Sequence, residues 1–192
     1  MRGADEAVNR ETIDVTREFL TKGVCCADLA GAEALFFTGD YKSLFAYAAE
    51  QGVPYVIHAG EADGPNSMWA AIEMGAKRIG HGIAAVQDEK LMAYLKEHRI
   101  PLEVCVTSNV QTKGAASYEE HPILRMLNNG IVVTMNTDNM TVSGTDLDNE
   151  ASLIRRHLGM TERQERAMLE NSIRAAFLSD GEKDALRDIV FA

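Results

Sequence analysis

Several things are scarce in this sequence, and each scarcity removes a class of function. Only three of the 192 residues are cysteine (Cys25, Cys26 and Cys105), and no two stand in Cys-x-x-Cys spacing. That speaks against a disulfide framework or a thiolate zinc site and fits a reducing, cytoplasmic setting. Basic residues are in deficit, 19 Lys and Arg against 29 Asp and Glu, for a formal net charge of −10. Nucleic acid and anionic membranes both recruit basic surfaces, so neither is an expected partner. No apolar run approaches the ~20 residues that cross a bilayer, and the opening Met1-Arg2-Gly3-Ala4-Asp5-Glu6 does not read as a secretion signal. No Gly-x-Gly-x-x-Gly follows an apolar run and no Gly-Lys-Ser/Thr occurs, which disfavours the nucleotide-binding open sheets. Low-complexity stretches and blocks of like charge are missing too. The expected organisation is a single domain over residues 1–192.

What is present is an alternation. Short apolar runs at Val24–Leu29, Tyr55–His58, Arg78–His81, Leu102–Val106 and Ile131–Asn136 are β-branched and mostly continuous, the pattern of strands buried on both faces of a parallel sheet. Cys25 and Cys26 fall in the first run and read as small buried hydrophobes. Between the runs lie helical patterns at Asp40–Gln51 and Pro65–Met74, each closed by glycine, at Glu89–His98 with Asp88 as a cap, and at Pro122–Leu127, closed by Asn-Asn-Gly. A helix from about Asp5 to Leu20 precedes the first strand. Three more follow the last, near Leu147–Leu158, Glu162–Phe177 and Gly181–Val190. The fold class is α/β with parallel strands and right-handed crossovers. A complete (β/α)8 barrel needs ~250 residues. With about five strands, either the sheet is open or these residues belong to a larger protein.

In parallel α/β folds chemistry gathers where strands run into helices. Read in order, those ends carry Asp28 and Gly31, His58 and Glu61, His81, Thr107-Ser108-Asn109, and Asp138-Asn139. Taken singly, each has an ordinary structural role: a histidine bonded to backbone, an acid near a helix start, an Asx turn. Together, two histidines and an aspartate on one rim are the ligand types of a hydrolytic zinc site with an open position. His98, His121 and His157 sit among polar residues and read as solvated. Met68, Met74, Met92 and Met126 read as core filler.

The motifs Asp28-Leu29-Ala30-Gly31-Ala32-Glu33, His58-Ala59-Gly60-Glu61, Gly80-His81-Gly82, Cys105-Val106-Thr107-Ser108-Asn109 and Asn136-Thr137-Asp138-Asn139 resemble, in order, the successive motifs of the adenosine deaminases. The resemblance implies a (β/α)8 TIM barrel of which these are the fourth to eighth strands, followed by extra C-terminal helices. It implies one Zn2+ per full site, with His58 and Asp138 as ligands. It further implies that Asp138 orients the attacking hydroxide, that His81 assists deprotonation of water and that Glu61 protonates the purine ring. By the same resemblance, Gly31 matches a backbone contact to the purine. Asn139 stands where many members carry a second aspartate at purine N7.

The family's His-x-His pair has no counterpart, since no two of the five histidines are two apart. Val106 stands where proline is usual. The expected function is zinc-dependent deamination of adenosine and deoxyadenosine, with a purine nucleoside as the small-molecule partner. With half the ligand set missing, this chain is expected to hold zinc weakly or not at all and to be nearly inactive alone. Adenine or a modified nucleoside is the alternative substrate. A non-catalytic fragment that self-associates through the strand edge at Val24–Leu29 is the alternative of another class.

Overall fold

The computed structural model describes residues 1–192. Five short parallel strands form one sheet in chain order: β1 (Ala27–Leu29), β2 (Tyr55–Ala59), β3 (Ile79–His81), β4 (Leu102–Val104) and β5 (Val133–Met135). The chain divides into two compact units, Met1–Leu91 and Met92–Ala192.

In the first unit, helices α1 (Glu6–Phe19), α2 (Lys42–Glu50) and α3 (Gly64–Glu73) accompany β1 to β3. Pro65 stands in the first turn of α3, where its missing N–H costs nothing. The register pairs Leu29 with Ile57, Ile57 with Ile79, His58 with Gly80 and Ala59 with His81. Leu29, Ile57, Ile79 and Met68 are fully buried, so apolar burial holds the strands whose ends carry polar residues. Helix α4 (Glu89–Glu97) begins at Asp88, whose Oδ1 accepts the N–H groups of Lys90 and Leu91 at 2.9 and 3.2 Å.

The second unit carries β4 and β5 with α5 (Val106–Gln111), α6 (Ile123–Asn128), α7 (Met140–Ser143), α8 (Leu147–Leu158), α9 (Glu162–Ala175) and α10 (Asp180–Val190). Its core is built from Leu102, Ile123, Met126, Ile131, Ile154 and Met168. Capping boxes start the last two helices, Thr161 with Gln164 and Ser179 with Glu182. No residue of α10 is buried. Arg187 ties it to Glu170 of α9. No helix of the chain is long and apolar enough to cross a membrane.

Two expectations need correction. The run Val24–Leu29 is a strand only from Ala27. Gly23 at φ 103 turns the chain, and a single Leu20–Val24 bridge holds it outside the ladder. Cys25 is therefore exposed and Cys26 half-buried, with sulfurs 3.9 Å apart, rather than both lying in a core strand. Burial, then the neighbouring Cys25, pushes the Cys26 thiol up to about 12. Burial, then the Asp138 carboxylate, raises that of Cys105. Since the thiolate is the reacting form, native-state labelling at pH 7 is expected to modify Cys25 first and Cys105 only on unfolding, as read by peptide mass mapping. Second, the Leu102–Val106 strand stops at Val104. Val106 opens α5, so Thr107, Ser108 and Asn109 lie on a helical turn.

Candidate active site

The first unit brings three of the expected residues together. His58 lies on β2 opposite Gly80 of β3. A Cβ at Gly80 would stand 2.9 Å from both Cγ and Nδ1 of His58, so the imidazole occupies space that only glycine leaves open. His58 Nδ1 is 2.9 Å from Asp28 Oδ1. A carboxylate only accepts, so Nδ1 carries the proton and the ring presents Nε2 as its other nitrogen.

His81 closes β3 with φ 61, and Gly82 follows with φ 67. This left-handed pair turns the chain back over β2, and Gly82 N–H donates to Ala59 O at 3.1 Å. A histidine in that region costs roughly 1–2 kcal/mol, so the surrounding structure enforces the turn. The His81 ring is buried, lies 5.1 Å from that of His58 at an interplanar angle of 65°, and its Nε2 is 3.5 Å from Glu61 Oε2. Glu61 is half-buried, with 19% of its side chain exposed. Gly31 has φ 122, and a Cβ there would come within 3.2 Å of Arg2 Cβ. Its conformation and its neighbour both call for glycine.

In the second unit Asp138 takes φ 57, and its Oδ2 accepts from Ser108 Oγ at 2.7 Å. Asn139 is the cap of α7, its Oδ1 accepting Val142 N–H at 3.0 Å. The imidazole of His58 and the carboxylate of Asp138 have the right chemistry for zinc. No group of three or more His, Cys, Asp or Glu side chains is positioned to hold a metal ion, however, and a catalytic zinc site takes three protein ligands. The residues of this chain by themselves do not fit the ion.

Sequence reasoning passed over two acids. Glu33 is buried, and its carboxylate accepts the N–H groups of Gly60, Glu61 and Ala62 at 2.6, 2.9 and 2.7 Å, and the hydroxyl of Ser67. Glu150, fully buried on α8, accepts Thr107 N–H at 3.1 Å and Thr145 Oγ1 at 2.8 Å. Glu33 sits just past β1, so the strand-end rule that found Glu61 also points to it. Nothing local marks Glu150.

His121 is a correction. It is buried rather than solvated, with Nε2 3.3 Å from Asn109 Oδ1 and Nδ1 accepting Ile123 N–H at 3.2 Å. Its polar flanks misled, because Asn109 comes from another element. Burial moves the imidazole from its ordinary 6.5 down to about 4. The folded state then binds fewer protons than the unfolded one between those values. Stability is expected to be complete above about pH 6.5 and to fall as pH drops toward 4, by on the order of 3 kcal/mol. Urea unfolding of the parent and His121→Gln across this range checks it, since the variant is expected to lose that part of the acid slope. His98 is exposed as expected. His157, half-buried, pairs with Glu119 at 2.7 Å.

A parallel α/β sheet with histidines and carboxylates at successive strand ends is the architecture of the TIM-barrel hydrolases. Comparison with known proteins narrows the class. The family model described as adenosine deaminase matches residues 1–192, and the chain belongs to that family. It is 46% identical over 190 residues to an adenosine deaminase of Haemophilus ducreyi, covering 97% of this chain and 55% of that protein. Among solved structures it resembles an adenine deaminase from Arthrobacter aurescens, with TM-score 0.90 and 28% identity over 97% of this chain and 57% of that one. It also resembles an N6-mAMP deaminase from Arabidopsis, with TM-score 0.87 and 29% identity over 98% of this chain and 56% of that one. The chain spans about half the length of the curated relatives it matches.

Proposed function

We propose that these residues supply the ring-protonating and water-activating part of an enzyme that hydrolyses adenosine and deoxyadenosine to the inosine product and ammonia. The observation that carries the reading is the cluster of Glu61, His81 and His58, with Glu61 Oε2 3.5 Å from His81 Nε2, in a chain of the adenosine deaminase family.

Replacing an amino group on a purine requires breaking the ring's aromaticity at C6. In the proposed reaction Glu61 gives its proton to N1, which makes C6 electrophilic. The oxygen of a water molecule adds to C6 while a proton of that water passes to His81. The C6–N6 bond then breaks as the nitrogen takes the proton held by His81 and leaves as ammonia, the C6 hydroxyl returns its proton to Glu61, and inosine remains. Gly31 offers its backbone to the purine. Asn139, its Oδ1 engaged by Val142 N–H, offers its amide nitrogen to the acceptor at N7. His58 and Asp138 are assigned as two zinc donors of a larger set. With that set incomplete, the 192 residues alone are expected to bind zinc weakly and to deaminate adenosine slowly or not at all. Adenine or N6-methyl-AMP is the second reading, favoured by the two solved relatives that act on them.

The test is a chimera in which residues 1–192 replace the matching part of the Haemophilus ducreyi enzyme. It is expected to produce inosine and ammonia from adenosine, with kcat/KM at least about tenfold above that for adenine or N6-methyl-AMP, a difference of 1.4 kcal/mol in transition-state binding. A folded, zinc-loaded chimera that leaves adenosine intact overturns the proposal, and a preference for either other substrate selects the second reading.

A further inference from the structure

We infer that Glu33 is the positioning residue of this site: its buried carboxylate fills a nest of three successive backbone N–H groups and thereby fixes the direction in which Glu61 meets His81. The inference rests on the proposed function and adds a residue whose side chain lies beneath the Gly60–Ala62 turn.

Three consecutive amides aimed at one point make an anion-binding concavity. Here the anion is intramolecular. Glu33 Oε1 takes Gly60 N–H, and Oε2 takes those of Glu61 and Ala62. The turn has no ladder partner for these donors, and an unsatisfied buried N–H is costly. Gly60, at φ 74, could not carry a side chain here, because its Cβ would fall 2.5 Å from Met68 Sδ. Steric contact from Met68 on one side and the carboxylate on the other leave the turn one conformation.

The charge of Glu33 is answered through a chain of donors. Ser67 Oγ gives its single proton to Glu33, so it accepts from Thr38 Oγ1, and Thr38 in turn accepts from Arg2 Nη2. All four side chains are buried, Thr38 and Ser67 completely. Arg2 also donates to the carbonyls of His58 and Phe36, so the same network grips β2 two residues before the turn. A buried charge that is fully hydrogen-bonded on every lone pair rigidifies what it touches. What it touches is the peptide that aims Glu61. A placement error of about 1 Å at a reacting group can cost roughly a hundredfold in rate.

Two variants and two readouts test this. Glu33→Gln keeps the shape but replaces one acceptor oxygen with a donor that opposes the amides. Glu33→Asp keeps the charge and withdraws it by one methylene. In the 192-residue chain, amide hydrogen exchange followed by NMR is expected to speed up by about tenfold or more at Gly60, Glu61 and Ala62 in both variants, while the β2 amides keep their rates. In the chimera with the Haemophilus ducreyi enzyme, both variants are expected to lower kcat for adenosine by about tenfold to a hundredfold with KM within about threefold, and Glu33→Asp retains more activity than Glu33→Gln. Unchanged exchange at the three amides in a folded variant overturns the nest, and Glu33→Asp decides this if Glu33→Gln does not fold. Accelerated exchange with kcat within twofold of the parent overturns the positioning role. A parent chimera that fails to deaminate adenosine counts against the proposed function, and the exchange measurement on the chain itself still decides the nest.

Discussion

Glu61→Gln in the chimera is expected to lower kcat for adenosine by about 10²- to 10⁴-fold, the span that general acid catalysis contributes, and to leave KM within a few fold. Glutamine keeps the size and hydrogen-bonding reach of the side chain but has no acidic proton to give to N1. Without that proton C6 stays a poor electrophile, and addition of water must generate negative charge on the ring. His81 stands 3.5 Å away. Its assigned task is to take a proton from the attacking water, so it is not placed to substitute. Steady-state kinetics with adenosine checks the prediction, and a loss smaller than threefold removes Glu61 from the mechanism.

Gly80→Ala is the second change with a large expected effect, and it acts through packing alone. The new methyl would lie 2.9 Å from Cγ and Nδ1 of His58 and 3.1 Å from its Cα. These are the root of the ring and the strand itself, so no flexible end can move aside. Either β2 and β3 separate, weakening the Ile57 N–H to Arg78 O bond, or the imidazole leaves its rotamer and drops Asp28. We expect a loss of about 1–3 kcal/mol in urea unfolding and, in the chimera, at least about a tenfold fall in zinc affinity, the loss typical when a ligand's orientation is disturbed. Gly181→Ala is the contrast. No atom comes within 4 Å of a Cβ there, and alanine is the better helix former, so stability should hold or rise slightly.

Much of this architecture was legible because its determinants are local. The runs 55–58 and 78–81 differ from β2 and β3 by one residue at an end, since β-branched apolar stretches bounded by polar residues have few other uses. The helix beginning after Thr161 is local in the same way: the structure pairs that cap with Gln164, three residues on. The meeting of His58, His81 and Glu61 followed from strand order, since parallel neighbours carry their end residues to the same side. Distant partners were not legible. The buried state of His121, in the loop before α6, depends on Asn109, twelve residues earlier on α5. The task of Glu33 depends on backbone amides about thirty residues ahead, which no side-chain pattern announces. Cys25 and Cys26 misled because their apolar character fitted a strand that a turn at Gly23 delays.

The last helix carries a consequence of its own. It starts itself through its own cap and has no fully buried residue, and it is held to α9 by Arg187 and Glu170, a pair whose side chains are 36% and 24% exposed, and by Arg166 over the Phe191 ring. Attraction between partly solvated ions fades with added electrolyte, whereas the apolar interior does not depend on it. Concentrated salt should therefore peel this segment away as an independent event, visible to a protease as an early clip near the carboxyl end while the rest of the molecule stays intact.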